Sequence, residues 1–202
     1  MLYAILPQGV SFIDSASFYE KLLGKIPVSL ISEVWFLENL AEAEKKLFEI
    51  LKRLLDMTLS IIIGVGFVLC FLPVALLIKI DSRGRVFYRQ RRIGKDKKEF
   101  TIIKLRTMIE NAEQGSAKWA EEHDKRITLV GKFLRKTRLD ELPQIWNILK
   151  GEMSFIGPRP ERPEFVEELR TKIPFYDMRH LIRPGLSGWA QIRFPYGASQ
   201  RD

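Results

Sequence analysis

The longest pattern in the chain is a stretch without charge: from Met57 to Ile78 the sequence runs MTLSIIIGVGFVLCFLPVALLI. Its 22 residues, at ~1.5 Å each in a helix, can cross a hydrocarbon layer of ~30 Å. A buried core helix of this length normally keeps a polar stripe, and this one has none, so the pattern predicts a membrane helix. It lies too far from the start for a secretory signal and no small-residue cleavage pattern follows it, so it should remain in place. Pro73, two thirds of the way along, removes a backbone hydrogen bond and predicts a break or kink. Basic residues flank both ends, Lys52 and Arg53 before, and Lys79, Arg83, Arg85, Arg89, Arg91 and Arg92 after. The positive-inside rule therefore cannot place either flank outside without penalty. A helix broken at Pro73 that enters and leaves by the same leaflet satisfies both flanks, and a spanning helix remains the other reading.

The remaining pattern is shorter in range. Phe12 to Phe36 carries apolar clusters such as Phe18-Tyr19 and Ile26-Pro27-Val28 without a sustained period, and reads as the tail of another folded unit. Glu38 to Leu55 has Leu40, Leu47, Ile50 and Leu54 at helical spacing and predicts an amphipathic helix leading into the apolar segment. Val86-Phe87-Tyr88 and Phe100-Thr101-Ile102-Ile103, separated by Gly94-Lys95-Asp96, predict a short β-hairpin. Met108 to about Asp124 is polar and helical in pattern, with Trp119 as its apolar anchor, and Ile127 to Thr137 follows. Leu142, Ile145, Trp146 and Leu149 recur at i, i+3, i+4 and i+7, so residues 142–150 predict a helix with one buried face, stopped by Gly151. Pro163 to Thr171 starts with proline at a first helical position, with Glu164 in its first turn and Arg170 in its last.

Charge narrows the partners. The chain has 33 Lys and Arg against 25 Asp and Glu, which favours anions: nucleic acid, phospholipid headgroups or phosphorylated substrates. The run of Arg89, Arg91, Arg92, Lys95, Lys97 and Lys98 lies just past the membrane segment, where basic residues meet anionic headgroups at ~1 kcal/mol each. Anionic membrane lipids are therefore the expected partner and nucleic acid is not. The single cysteine, Cys70, leaves no internal disulfide framework and fits a reducing, cytoplasm-facing location. With His123 and His180 the only histidines, a Cys/His zinc site is not expected.

The chemistry concentrates in Arg138-Leu139-Asp140-Glu141-Leu142-Pro143-Gln144 and in Gly157-Pro158-Arg159-Pro160. Pro143 belongs to a first helical turn, which puts Asp140 at or near the N-cap. Capping alone would account for it. The same position also suits a carboxylate nucleophile, because the positive helix end keeps Asp140 ionised and attracts phosphate oxygens. Adjacent residues do not share a helix face, so one carboxylate could attack while the other holds a divalent cation such as Mg2+. Arg159, held between Pro158 and Pro160, has little backbone freedom and would offer its guanidinium fork to phosphate; a surface salt bridge with Glu161 or Glu164 is the plainer alternative. Arg135, Lys104 and Arg106 are further candidates for a phosphate clamp, though each alone reads first as a solvated charge. No Gly-rich phosphate loop is present, so positive side chains must substitute for one.

Taken in series, Lys104 to Met108, Arg126-Ile127-Thr128 with Gly131, Leu139 to Gln144, Asn147 to Met153, Ser154 to Pro160 and Arg183 to Ile192 resemble the bacterial sugar transferases, the monotopic phosphoglycosyltransferases that act on polyprenyl phosphate. The resemblance runs from about Lys52 to the C-terminus. It implies that Asp140 attacks the sugar-bearing phosphorus of a UDP-sugar and releases UMP. Polyprenyl (undecaprenyl) phosphate then takes the phosphosugar, which starts exopolysaccharide, capsule or O-antigen synthesis. It also implies that Glu141, with Asp140, binds Mg2+, that Pro158-Arg159-Pro160 holds the nucleotide end, and that the membrane helix is re-entrant. Members often carry Ser before the helix-breaking proline, where this chain has Leu72. Residues 12–40 resemble the segment that joins an accessory domain to the catalytic domain in larger members, which implies a truncated chain; the end at Asp202 implies an incomplete C-terminal part.

The expected fold is thus α+β and mostly helical, a re-entrant membrane helix plus a small cytoplasmic catalytic domain with a short β-hairpin. Residues 1–50 form the linker and amphipathic helix, 51–80 the membrane helix broken at Pro73, and 81–202 the catalytic domain. The expected location is the bacterial inner membrane with the site on the cytoplasmic face; a homo-oligomer is left open. A membrane-anchored basic adaptor, or a catalytically silent fragment, would explain the charge and the anchor but not the carboxylate pair with the arginine loop.

Overall fold

A computed structural model describes residues 13–24, 26–35, 46–110, 124 and 126–193. The chain divides into two units, residues 1–49 and 50–202. In the first, helix α1 (Ser15–Leu23) begins where the Asp14 carboxylate accepts from the Ser17 N–H at 3.0 Å and ends at Gly24 in the left-handed region (φ 63°). The sequence reading found no helix here, because the apolar residues of α1 stay largely exposed; its cap and stop residues were the usable signal.

Helix α2 (Lys46–Asp81) takes up the predicted apolar segment. Its 36 residues include the second half of the expected amphipathic helix, whose first half, like Trp119 and most of the polar stretch from Met108 to Asp124, lies outside the described residues. The helix is long and apolar enough to cross a membrane, and only 6% of its most apolar window is buried. A core helix would be covered, so the soluble alternative fails: Val68, Leu69 and Leu72 are each at least 70% exposed. Pro73 sits inside α2 and does not end it. The expected break is therefore at most a bend within a helix that has lost one hydrogen bond.

The second unit is an α+β arrangement laid against α2. Strands β1 (Phe87–Ile93) and β2 (Glu99–Leu105) form the expected antiparallel hairpin, with Phe87 opposite Leu105 and Ile93 opposite Glu99. The turn holds Asp96 and Lys97 at positive φ. Helix α3 (Leu129–Thr137) follows, then a 3-10 segment (Leu139–Gln144) and helix α4 (Ile145–Lys150), stopped by Gly151 at φ 85° as expected. Strand β3 (Ser154–Ile156), helix α5 (Pro163–Lys172), a 3-10 turn (Tyr176–Leu181), strand β4 (Gly185–Ser187) and helix α6 (Trp189–Arg193) complete it. The parallel β3–β4 pair, with Ser154 opposite Gly185, was not predicted: three-residue strands carry no period to read.

Strand β2 separates two cores. Leu105 joins Ile78 and Leu134, with Phe67, Phe71 and Val74 of α2 packed on them, while Ile102 joins Ile148 and Met153. Alternation along a strand puts Lys104 on the same face as Ile102. Three of the basic residues are occupied structurally. Arg106 donates to the carbonyls of Ser82 (2.6 Å), Arg83 (2.7 Å) and Ile78 (3.5 Å), closing the C-terminus of α2. Arg53 donates to the Ile148 and Leu149 carbonyls at 2.6 and 2.8 Å, closing α4. Arg92, expected among headgroup-facing charges, instead bonds the Pro160 carbonyl at 3.1 Å. Carboxylates of α2 do the reverse: Asp56 accepts from the Phe155 N–H at 3.1 Å, and Asp81 from the Val130 N–H at 2.9 Å. One folded unit therefore grips α2 near both ends of its apolar stretch.

Gly131 of α3 lies so close to the chain just past β2 that an added Cβ would sit 2.1 Å from the Thr107 carbonyl oxygen. Gly→Ala in a helix ordinarily stabilises by about 1 kcal/mol. Here overpacking reverses the sign, and Gly131→Ala should lower stability by about 1–3 kcal/mol in a thermal melt. A rise in melting temperature would contradict this packing of α3.

Candidate functional site

The site is built where α3 ends. Arg138 adopts the left-handed conformation (φ 60°) and turns the chain into the 3-10 segment that carries Asp140 and Glu141. Both carboxylates are buried, at 7% exposure each. Burying a charge is unfavourable unless it is paired, and the pairing is unequal. Lys104, on the inner face of β2, donates to Glu141 Oε1 at 2.7 Å, and Arg138 approaches Oε2 at 3.7 Å. Asp140 Oδ1 is buried with no hydrogen-bond partner.

That oxygen bears on the capping reading of Asp140. The residue is the second of the 3-10 segment, whose preceding position, Arg138, makes no side-chain cap, and α4 begins after Gln144. Asp140 is therefore not a helix cap.

Charge follows the same inequality. Burial, then the neighbouring Glu141, pushes the Asp140 carboxyl above its ordinary value, and Lys104 and Arg135 only partly offset them. Burial acts on Glu141 as well, but the Lys104 charge and hydrogen bond, with Arg159 and Arg138, outweigh it and hold its carboxyl below the usual value. Two adjacent carboxylates thus differ in environment: Glu141 is held as an anion by Lys104, while Asp140 keeps a buried Oδ1 with no hydrogen-bond partner.

The sequence-predicted residues fall into three groups. Lys104, Glu141, Arg159 and Pro160 line one cleft together with Arg92, Ile102, Gln144, Gly185, Leu186 and Gln191. Glu161 pairs with Arg92 at 3.5 Å and Glu164 with Arg162 at 3.5 Å. Arg135 donates to Thr107 Oγ1 at 2.9 Å while its charge reaches Asp140. Arg106 is not part of the site; its guanidinium is spent on the α2 carbonyls described above. Trp146, expected in the buried face of α4, is 54% exposed, and Ile145, Asn147 and Ile148 are buried in its place.

The loop Gly157–Pro160 reaches the cleft because β3 and β4 bring it there. Gly157 N–H donates to the Ser187 carbonyl and Gly185 N–H to the Pro158 carbonyl, both at 2.9 Å. A Cβ on Gly185 would lie 2.1 Å from Gly157 N, so the approach requires glycine. Sequence reading missed Gln144 and Gln191. Gln144 is 3% exposed, and Gln191 Oε1 is a second buried acceptor without a partner. A polar residue on the cleft side of a helix start was the available signal for the first; the second depends on the β3–β4 pairing.

Two carboxylates alone can hold Mg2+, which takes one or two protein carboxylates and completes its shell with phosphate oxygens and water. The unpartnered Asp140 oxygen beside Glu141 fits that donor set. With Arg92, Lys104 and Arg159 among its lining residues, the cleft suits a di-anionic phosphate ester; Asp140 does not itself line it but adjoins Glu141, which does.

Residues 47–201 match the family model described as Bacterial sugar transferase. The chain is 46% identical over 156 residues to the UDP-N-acetylgalactosamine-undecaprenyl-phosphate N-acetylgalactosaminephosphotransferase of Aeromonas hydrophila, covering 77% of this chain and 37% of that protein. It is 41% identical over 146 residues to the UDP-glucose:undecaprenyl-phosphate glucose-1-phosphate transferase of Xanthomonas campestris pv. campestris, covering 72% and 30%. The protein of the same name from Escherichia coli (strain K12) is 43% identical over 145 residues, covering 71% and 31%. The chain thus spans about a third of the length of these curated relatives.

The unequal pairing has a measurable cost. A carboxyl whose folded pKa is raised favours the protonated fold, so its contribution is present at low pH and is lost as pH rises through the folded value. Asp140→Asn should therefore melt about 2–4 °C above the parent at neutral pH, the shift expected for ~1 kcal/mol in a chain of this size. The gap should close as pH falls through the Asp140 pKa. A variant that melts lower at neutral pH would show that Asp140 is a stabilising residue.

Proposed function

Because the chain belongs to the bacterial sugar transferase family, we propose that it transfers a hexose 1-phosphate from a UDP-sugar to polyprenyl phosphate at the membrane surface. The observation that carries the proposal is the buried, unpartnered Oδ1 of Asp140 beside the Lys104-neutralised Glu141. An ionised Asp140 attacks the sugar-bearing phosphorus. An Oδ–P bond forms, the P–O bond to UMP breaks, and UMP leaves as the anion. A phosphate oxygen of the polyprenyl carrier then attacks the same phosphorus and the carboxylate departs, leaving a polyprenyl-diphospho-sugar. Arg159 and Lys104 hold the diphosphate oxygens in line for the attack, with Pro158 and Pro160 limiting the movement of the Arg159 loop. Glu141, with Asp140, would hold Mg2+, which supplies charge neutralisation to the diphosphate and the leaving UMP. The relatives named above divide between N-acetylgalactosamine phosphate and glucose phosphate, so the proposal is for the class of hexose phosphate.

Features of α2 support a membrane placement. A spanning helix would put Asp56 and Asp81 on opposite sides, about 37 Å apart along a straight axis. One folded unit holds both, through Phe155 and Val130. That supports a re-entrant segment, bent at Pro73, which enters and leaves through the cytoplasmic leaflet of the inner membrane. Anionic headgroups would meet the exposed basic residues of the hairpin, Arg91 among them. The site then lies where a water-soluble nucleotide-sugar and a lipid phosphate can both reach it.

The chain in nanodiscs, given UDP-N-acetylgalactosamine or UDP-glucose with Mg2+ and polyprenyl phosphate, should release UMP. Asp140→Asn should reduce that rate about a thousandfold or more. In the free enzyme Asp140 must lose its proton before it attacks, so kcat/KM should fall on acidification with a midpoint above the ordinary Asp value of about 4. Unchanged UMP release from Asp140→Asn would overturn the proposal, and absence of release from every UDP-sugar would favour a basic membrane adaptor.

A further inference from the structure

The Pro158-Arg159-Pro160 loop poses a mechanical problem. Proline has no N–H, so at two of three positions the loop cannot be fixed through its own donors. Its carbonyls do the anchoring instead, each to a different element. Pro158 O accepts from Gly185 N–H at 2.9 Å at the start of β4. Pro160 O accepts from Arg92 of β1 at 3.1 Å. Arg159 O accepts from Arg179, in the 3-10 turn after α5, at 2.6 Å.

The third anchor is the one closest to the functional side chain, and the structure around it is built to hold it. Arg179 is half-buried, does not line the cleft, and stacks over the Tyr176 ring with its guanidinium carbon 4.7 Å from the centroid. Its second nitrogen bonds the Tyr176 hydroxyl. The turn itself is pinned to the hairpin by Lys97, which meets Asp177 at 2.7 Å, and Arg170 of α5 reaches the same carboxylate at 3.1 Å. His180, 5% exposed, sets its ring edge-on to Tyr176 with centroids 6.2 Å apart, so the tyrosine that orients Arg179 is itself packed from behind.

We propose that Arg179 is a positioning residue for nucleotide-sugar binding: it fixes the Arg159 carbonyl and thereby aims the Arg159 guanidinium into the cleft, without touching substrate itself. A charged donor on a carbonyl makes one of the stronger hydrogen bonds available to backbone. Losing it frees the ψ angle of Arg159, the residue whose side chain must be held still. This inference rests on the reading of the cleft as a UDP-sugar site.

The test is a double-mutant cycle in UMP release, with Arg179→Gln, Arg159→Ala and the pair, alongside the parent and Asp140→Asn. Arg179→Gln should raise KM for the UDP-sugar about tenfold and change kcat less than about threefold, since a contact made equally in ground and transition states acts on KM. In the Arg159→Ala background the same change should cost less than about twofold, because the side chain it aims is gone. Arg179→Lys, which keeps charge and one donor, should recover part of the loss. An equal loss of KM in both backgrounds, or a loss in kcat alone, would overturn the inference. If Arg179→Gln does not fold, Arg179→Lys carries the cycle, with the same criterion of coupling to Arg159. Failure of the underlying reading is distinguishable, because Asp140→Asn would then release UMP at the parent rate.

Discussion

Two carboxylates are buried side by side, and one lysine serves them. Lys104 gives its hydrogen bond to Glu141, and Asp140 keeps a buried oxygen with nothing bonded to it. Most of the second unit can be understood as what is needed to sustain that imbalance. Strand β2, gripped by a core on each face, fixes where Lys104 stands. The left-handed Arg138 ends α3 abruptly, so both carboxylates enter the protein and neither caps a helix. Arg135, tied to Thr107, lends charge from a distance without forming the bond that would quench Asp140. The fold gives up stability at one atom and recovers it in packing elsewhere, the usual relation between strain and function.

The membrane segment belongs to the same unit. Four side chains cross between α2 and the globular part as end-group caps: Arg106 on α2, Arg53 on α4, Asp81 on α3 and Asp56 on β3. Each satisfies backbone groups that a helix end or strand edge would otherwise leave bare. The apolar helix is therefore a structural wall of the second unit. A displacement of α2 would be felt at the C-terminus of α4, the helix that follows the segment carrying Asp140.

What the sequence disclosed follows from the range of the forces involved. The uncharged run, the hairpin and the stop at Gly151 are local patterns and were legible, whereas the helix expected from Leu142 starts only at Ile145, after a 3-10 segment that holds Asp140 and Pro143. Arg106 was not, because an arginine reads the same whether it meets a phosphate or three carbonyls. Trp146 was misplaced for a geometric reason: residues 139–144 form a 3-10 segment, with three residues per turn, and a face extrapolated at 3.6 drifts outward. The β3–β4 pair, and with it the carbonyl anchoring of the arginine loop, depends on contacts between distant residues that no local period announces. That Asp140 is not a helix cap likewise needed the structure, since a cap and a nucleophile both want an ionised carboxylate near a helix start.

On the proposed reading, Asp140 keeps a buried Oδ1 without a partner in order to form a bond. The most direct measurement is the intact mass of the protein after mixing with a UDP-sugar in the absence of polyprenyl phosphate, followed by peptide mapping. The account predicts a gain of one hexose phosphate on the peptide containing Asp140, formed with release of UMP and discharged when polyprenyl phosphate is added. UMP release that requires polyprenyl phosphate from the outset, with no adduct at any time, would contradict it.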